Sequence, residues 1–278
     1  MTGKLTIVPT PLGNLGDMTA RALEALEQAD VVCAEDTRVT GKLLAHFGIE
    51  ARLERCDENV IASRISALVA RMREGEQIAF CSDAGMPGIS DPGCALVDAA
   101  REAGVPVDVL PGPSAVTTAL VTSGFKHNAF YFGGFLPRKE GERIALLESL
   151  ANLDAALVFY ESPHRVVAAV ESIAHAYGER PVALCRELTK LHEEVLRLPA
   201  DELAANLAAR DAIKGEIVLV VAPPDVRAQQ AASLDDPALR ERIAAELAAG
   251  TPKSALAKEL ARELGLPKNK LYELILGM

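Results

Sequence analysis

The chain has 278 residues, 49% of them hydrophobic, enough to bury one large core or two medium ones. Its 29 lysines and arginines face 39 aspartates and glutamates, and the net charge of -10 argues against a broad nonspecific nucleic-acid binder. Five dispersed cysteines without Cys-x-x-Cys spacing read as reduced thiols rather than a zinc site, and apolar runs about half the length that crosses a bilayer exclude a membrane span.

The first residues lead straight into a strand and a loop rather than a targeting segment, so a soluble cytoplasmic protein is expected. The strand at 5–8 ends in a glycine- and proline-rich loop at 9–16, and Asp17 or Thr19 caps a helix running to about 28. A strand at 30–34 precedes Glu35, Asp36 and Arg38, and the next helix runs to 47 and stops at Gly48, a left-handed terminator. A weaker strand at 52–56 is followed by an amphipathic helix at 59–73, in which Ile61, Ile65, Leu68, Val69 and Met72 share a face. The strand at 77–81 enters the loop 82–93. A helix to about 103, a strand at 105–110, a turn at 111–114 and a helix to 122 follow. Strands alternating with helices over this half predict a mostly parallel sheet covered on both faces.

The rhythm changes after Gly124. Strands are predicted at 130–135, 155–160, 181–185, 194–198 and 216–221, and helices at 139–151, 163–177 (opened by Pro163) and 203–209. The strands at 181–185 and 194–198 have no helix between them, which suggests antiparallel pairing and a second, mixed-sheet lobe. The expected domains are therefore 1–124 and 125–222, a linker at 223–236, and a helical appendage at 237–278 with units at 237–249, 252–264 and 267–276. Gly250 and Gly265 punctuate them. The tail has helix-turn-helix rhythm. A packing or dimerisation role and an RNA contact both stay open.

Three glycine/proline loops, at 9–16, 82–93 and 111–114, fall at the carboxyl ends of first-lobe strands, the usual ligand crevice of an open α/β sheet. Neither Gly-x-Gly-x-x-Gly after the first strand nor a triphosphate-binding loop is present, so a standard dinucleotide or triphosphate grip is disfavoured. Gly-x-Ser-x-Gly is absent too. Candidate polar groups are Glu35, Asp36, Ser82, Asp83, Asp91, Glu161 and Glu187. Asp36 and Asp91 suit helix capping as well as function. Asp83, between a strand and a glycine, leans toward function. His164 fits a ligand contact, a surface position or a cap. Arg138, Lys139, Arg143, Arg165, Arg186, Lys190 and Lys214 form either a local anion-binding rim or ordinary solvated surface.

Taken in order, the segments VPTPLGNLG (8–16), AEDTR (34–38), SDAGMPGISDPG (82–93), LPGP (110–113), GFLPR (134–138), FYESPHR (159–165), RELTK (186–190) and KGE (214–216) resemble the ribosomal RNA small subunit methyltransferase I family, within the tetrapyrrole methylase-like class. The resemblance implies a two-lobed α/β fold with a mostly parallel N-terminal sheet, a mixed C-terminal sheet and a small helical appendage. It implies S-adenosylmethionine as methyl donor, folded between the lobes, and the 2'-hydroxyl of a cytidine in small-subunit (16S) rRNA as acceptor. A homodimer acting on rRNA within a ribosomal particle, with no DNA or membrane partner, goes with it.

By the same resemblance, Ser82, Asp83, Ala84, Gly85, Met86, Pro87 and Gly88, with Pro111, Gly112, Pro113 and Ser114, form the first cofactor wall, and Lys214, Gly215, Glu216 and Ile217 lie on the second. Residues 9–16 and 35–38 belong to the substrate side. Asp83, Glu35, Asp36 and Lys214 are the catalytic candidates, with no general base assigned. Arg38, Arg138, Lys139, Arg165 and Lys190 are the RNA-binding candidates. Two departures stand out: Met86 where threonine is expected, and Cys56-Asp57-Glu58-Asn59 where the family has a His/Asn-rich stretch. C-methylation of a tetrapyrrole precursor, and a non-catalytic cofactor-binding assembly factor, are the alternatives.

Overall fold

The computed structural model describes residues 3–91, 93–225, 234, 237–264 and 266–278. They separate into two compact units, one of residues 1–151 and 155–222 and the other of 152–154 and 223–278.

In the first unit, β1 (Lys4–Ile7), β2 (Val31–Ala34), β3 (Leu53–Arg55), β4 (Gln77–Cys81) and β5 (Val107–Val109) form a sheet in the order β3-β2-β4-β1-β5. Every pairing in it is parallel. Its strands are short apolar runs because both faces are covered. Val31, Cys33, Ile78 and Phe80 meet α3 (Ile61–Arg73) and α4 (Gly93–Glu102) on one side. Val32, Ala34, Ala79 and Cys81 meet α1 (Ala20–Gln28) and α2 (Thr37–Phe47) on the other. Of the two proposed caps for α1, Thr19 takes the role, its hydroxyl accepting from the Ala22 amide. Gly48 ends α2 at φ 70°, as its position predicts. The strands at 52–56 and 105–110 are shorter than expected, three residues each.

The second sheet is mixed, β6 (Phe130–Phe135), β7 (Ala156–Glu161), β8 (Pro181–Arg186), β9 (Glu194–Pro199) and β10 (Ile217–Val221) running in the order β6-β7-β10-β8-β9. Only β6 and β7 pair in parallel, and β8 and β9 form the expected antiparallel pair. One face packs on α6 (Glu140–Leu150), α7 (Val166–Tyr177) and α8 (Ala200–Ala208). The other receives α5 (Ala115–Thr122), whose Val116, Ala119 and Leu120 lie among Val158, Ala183, Cys185 and Val220. A first-lobe helix thus completes the second lobe's core. The expected start of α7 at Pro163 needs correction. The Arg165 amide bonds the Ser162 carbonyl at 3.0 Å, closing a turn over 162–165, and the helix begins at Val166. Helix α8 begins earlier than expected, at Ala200.

The β8–β9 pair is fastened by Glu194. It accepts from Arg186 Nε at 2.8 Å and from Arg210 Nη1 and Nη2 at 3.0 and 2.7 Å. Hydrogen bonding from Arg210, then from Arg186, holds its carboxyl down at about 2 against the opposing effect of burial. A depressed carboxyl stabilises the fold above its unfolded pKa, and that contribution fades as pH falls through about 2. Glu194→Gln is expected to lose about 1–2 kcal/mol at neutral pH, toward the low end for hydrogen bonds to charged groups because all three side chains are partly exposed. The deficit should shrink below the ordinary carboxylate range, read from urea midpoints across pH.

The second unit contains α9 (Pro237–Ala248), α10 (Lys253–Leu264) and α11 (Lys268–Leu276) around Leu239, Ile243, Leu256, Leu260, Leu271 and Ile275. Gly250 turns at φ 88°, while the Gly265 turn and most of the expected linker at 223–236 lie outside the described residues. No helix among the described residues is long and apolar enough to cross a membrane.

Candidate active site

The strand order sets the carboxyl ends of β2, β4, β1 and β5 side by side, so loops distant in sequence leave the sheet together. The loop after β1 is bonded to the loop after β4. Thr10 N donates to Gly85 O at 2.9 Å, Gly85 N returns to Thr10 O at 3.0 Å, and Thr10 Oγ1 reaches Ser82 O at 3.1 Å. A Cβ on Gly112 would lie 2.5 Å from Pro9 Cγ, so the loop after β5 sits directly against the first. The β2 end is joined by Asp36 N to Asp83 Oδ1 at 3.0 Å, and more loosely by Asp83 N to Glu35 Oε2 at 3.5 Å.

These loops form one wall of a cavity of about 410 Å3, a usual size for a small-molecule site. Leu12, Glu35, Ser82, Asp83, Ala84, Gly85, Met86, Ile89, Ser90, Asp91, Ser114 and Ala115 line the first-lobe side. Phe135, Tyr160, Glu161, Ser162, Pro163, Cys185, Leu188, Gly215, Glu216, Ile217 and Val218 line the other. The walls also touch beyond the cavity. Asn14 N donates to Thr189 Oγ1 at 3.1 Å, and a Cβ on Gly13 would fall 2.2 Å from Lys190 Cγ.

Two features of the lining are chemical rather than geometric. Ser82 is buried, and its hydroxyl has no hydrogen-bond partner among the described residues, a costly arrangement unless a ligand supplies one. Carboxylates also gather there. Burial, then the neighbouring Asp83 charge, pushes Glu35 above its ordinary value, and burial does the same to Asp83. Tyr160 is pushed up to about 12 by burial and by the Asp91 and Glu216 charges. A cavity with this much negative charge favours a cationic ligand.

The expected site residues divide. Glu35, Ser82, Asp83, Ala84, Gly85, Met86, Ser114, Gly215, Glu216 and Ile217 meet at the cavity, but Pro87, Gly88, Pro111, Gly112 and Pro113 are not in its lining, though some of them hold residues that are. Gly88 N, for instance, donates to Asp91 at 2.8 Å. Asp36 caps α2 through the Arg38 amide, and its carboxylate pairs with the Arg38 guanidinium at 2.5 Å. Lys214 is exposed and also outside the lining. Cys56, Asp57 and Asn59 do not reach it either. Cys56 is buried in the first-lobe core, and Asp57 accepts from the Asn59 and Val60 amides at the start of α3.

The basic rim thins on inspection. Arg143 is buried, its Nε bonded to Ser172 Oγ at 2.8 Å. Lys190 is held by Glu187 at 2.9 Å and Glu216 at 3.1 Å, and Arg186 by Glu194. Arg165 turns inward to Leu136 O and to Glu161 Oε2, the latter at 3.1 Å. Arg38, Arg138 and Lys139 remain exposed, as does His164.

Sequence reasoning missed the apolar and aromatic half of the lining, notably Leu12, Phe135, Tyr160 and Leu188. Only the position of Phe135 and Tyr160 at strand ends hinted at it. Glu161 was a polar candidate without a role. Its side chain is wholly buried, bonded to Ser162 N at 2.8 Å and to Arg165, while burial pushes its carboxyl up. Glu161→Ala leaves that guanidinium without its charge partner and should lower the unfolding free energy by about 2–4 kcal/mol, Arg165 being partly solvated. Glu161→Gln, which retains an acceptor, should lose less than half as much in the same urea titration.

The family profile described as Tetrapyrrole (Corrin/Porphyrin) Methylases matches residues 4–204. The chain is 44% identical to Ribosomal RNA small subunit methyltransferase I of Micromonospora olivasterospora, over 98% of this chain and 86% of that one. It is 44% identical to the protein of the same name from Escherichia coli O157:H7, over 98% and 94%. Among solved structures, uroporphyrin-III C-methyl transferase from Thermus thermophilus complexed with S-adenyl homocysteine superposes with a TM-score of 0.55 at 18% identity, over 78% of this chain and 97% of that one, a likeness of fold.

Proposed function

The chain belongs to the ribosomal RNA small subunit methyltransferase I family of the tetrapyrrole methylases, and from that premise we propose that it methylates the 2'-hydroxyl of a cytidine in small-subunit rRNA, using S-adenosylmethionine. The observation that carries the reading is the inter-lobe cavity, which combines close-approach glycines, an unpartnered serine hydroxyl and a group of carboxylates.

These residues fit the donor. Gly85 and Gly215, both at positive φ, expose backbone to it, Ser82 Oγ offers a hydrogen bond, and Leu12, Ile89 and Val218 supply apolar walls. Met86, in place of the expected threonine, is half-buried in the lining and packs as a polarisable apolar group. Bound S-adenosylmethionine supplies a methyl group already activated on a sulfonium. Asp83 and Asp91 favour that positive charge. What remains for the protein is alignment of the ribose oxygen, exclusion of water and removal of a proton. Glu35 suits the last task. It lines the cavity, its raised pKa makes it a better proton acceptor than an ordinary carboxylate, and its bond from the Asp83 amide, at 3.5 Å, is looser than the 3.0 Å bond by which the Asp36 amide engages Asp83. Arg138 and Lys214 are exposed cations that can meet RNA phosphates directly, and Arg38 and Lys139 can do so by exchanging their surface ion pairs with Asp36 and Glu142. A homodimer working in the cytoplasm on rRNA within a ribosomal particle completes the proposal.

Incubation with labelled S-adenosylmethionine and small-subunit particles, followed by nucleoside analysis, tests it. Labelled 2'-O-methylcytidine is the expected product. Label on a porphyrinoid instead, or donor binding without transfer, would overturn it.

A further inference from the structure

We propose that the ring of Phe135 is the platform on which the target cytosine stacks while its ribose faces the cavity, an inference that rests on the RNA-methylating reading above. The residue is 55% exposed yet lines the cavity, and its exposure is built rather than incidental. Along β6, Phe132 pairs with Val158 and Phe135 with Tyr160, so three steps on β6 match two on β7. That extra residue is a bulge, a device that re-aims a side chain next to a site.

Two glycines permit it. Gly134 takes φ 63°, and a Cβ on Gly133 would lie 2.5 Å from Phe159 Cε1. In regular alternation residues 132 and 135 would face opposite sides of the sheet. With the bulge both reach Tyr160 edge-on, at centroid distances of 5.0 and 5.7 Å. Tyr160 therefore holds the Phe135 ring in place and leaves more than half of the residue in solvent.

The surroundings select the occupant. Inside the cavity Glu35, Asp83 and Asp91 repel phosphate, whereas Arg138 and Lys139, three and four residues beyond Phe135, are exposed. An RNA strand placed with its phosphates at those cations brings a base to the aromatic ring and a ribose to the mouth. Aromatic stacking is how proteins hold a splayed base of single-stranded RNA.

The chain contains no tryptophan, so Phe135→Trp installs a single fluorescent indole at this point. Deproteinised small-subunit rRNA, added with S-adenosylhomocysteine present, should quench its emission, and S-adenosylhomocysteine alone should not. Phe135→Ala and Phe135→Leu should each lower kcat/KM for small-subunit particles by about 10- to 100-fold, with Phe135→Tyr near wild type and S-adenosylmethionine titrations unchanged in all three. Leucine keeps the apolar bulk without the π face, which separates stacking from folding. Quenching by S-adenosylhomocysteine alone, or an unchanged kcat/KM in the alanine and leucine variants, would overturn the inference while wild-type activity leaves the reaction standing. A wild-type enzyme inactive on small-subunit particles would remove both.

Discussion

Gly85→Val should weaken S-adenosylmethionine binding by about 100-fold or more, measured calorimetrically. Gly85 sits at φ 82°, where a β-branched residue is strained by about 1–3 kcal/mol, and its new Cβ would stand 3.1 Å from Leu12 Cδ2. Relief requires the backbone to move, and that backbone exchanges two hydrogen bonds with Thr10 at the cavity wall. A binding loss at about 1.4 kcal/mol per factor of ten then follows from strain and clash together. Gly48→Val is the control. Its φ of 70° imposes the same backbone penalty, but nothing lies within 4 Å of the new Cβ and the position is outside the cavity lining. It should lower thermal stability and leave donor affinity alone. Equal binding losses in the two variants would mean that general destabilisation, not the wall, was being read.

The second large effect concerns the proton. Glu35→Gln should reduce kcat by about 100-fold or more, the usual range for loss of a positioned base, with donor and RNA affinities little changed. A base works only when ionised, so wild-type kcat should fall as pH drops through the raised Glu35 pKa, and the residual activity of the glutamine variant should lack that limb. Burial is the larger cause of the elevation and the Asp83 charge the next. Asp83→Asn should accordingly move the acid limb to lower pH without abolishing it. A limb that stays in place in Glu35→Gln would assign the titration elsewhere.

These predictions draw on parts of the site that the chain announces unequally. Prolines and glycines after apolar strands marked the loops at 9–16, 82–93 and 111–114, because a backbone that must turn sharply near a ligand needs those residue types. Helix α3 could be read from the period of Ile61, Leu68 and Met72 alone. Side-chain direction could not. Beside their local partners Glu161 and Glu187, Arg165 turns inward on Leu136 O, twenty-nine positions away in sequence, and Lys190 is also neutralised by the distant Glu216. Neither distant partner is visible in a local pattern. The aim of Phe135 depends on a register slip between two strands, which no count of hydrophobic residues records. Glu187 and Thr189 adopt left-handed backbone without being glycine, in a stretch without proline or glycine, so the tight bends they make carried no compositional signal.

The place of β1 in its sheet bears on how the molecule is born. Among the described strands β1 is interior, bonded to β4 and β5, and its first partner residue, Gln77, emerges from the ribosome roughly 70 residues after it. At about 5–20 residues per second, these apolar residues wait on the order of 4–14 s before a neighbour exists. Until then β2 lacks its inner neighbour as well, since it too pairs with β4. Synthesis of β4 is therefore the event that lets the nascent sheet close, and a translational pause just before it would prolong the interval in which the young chain is open to aggregation and to chaperones.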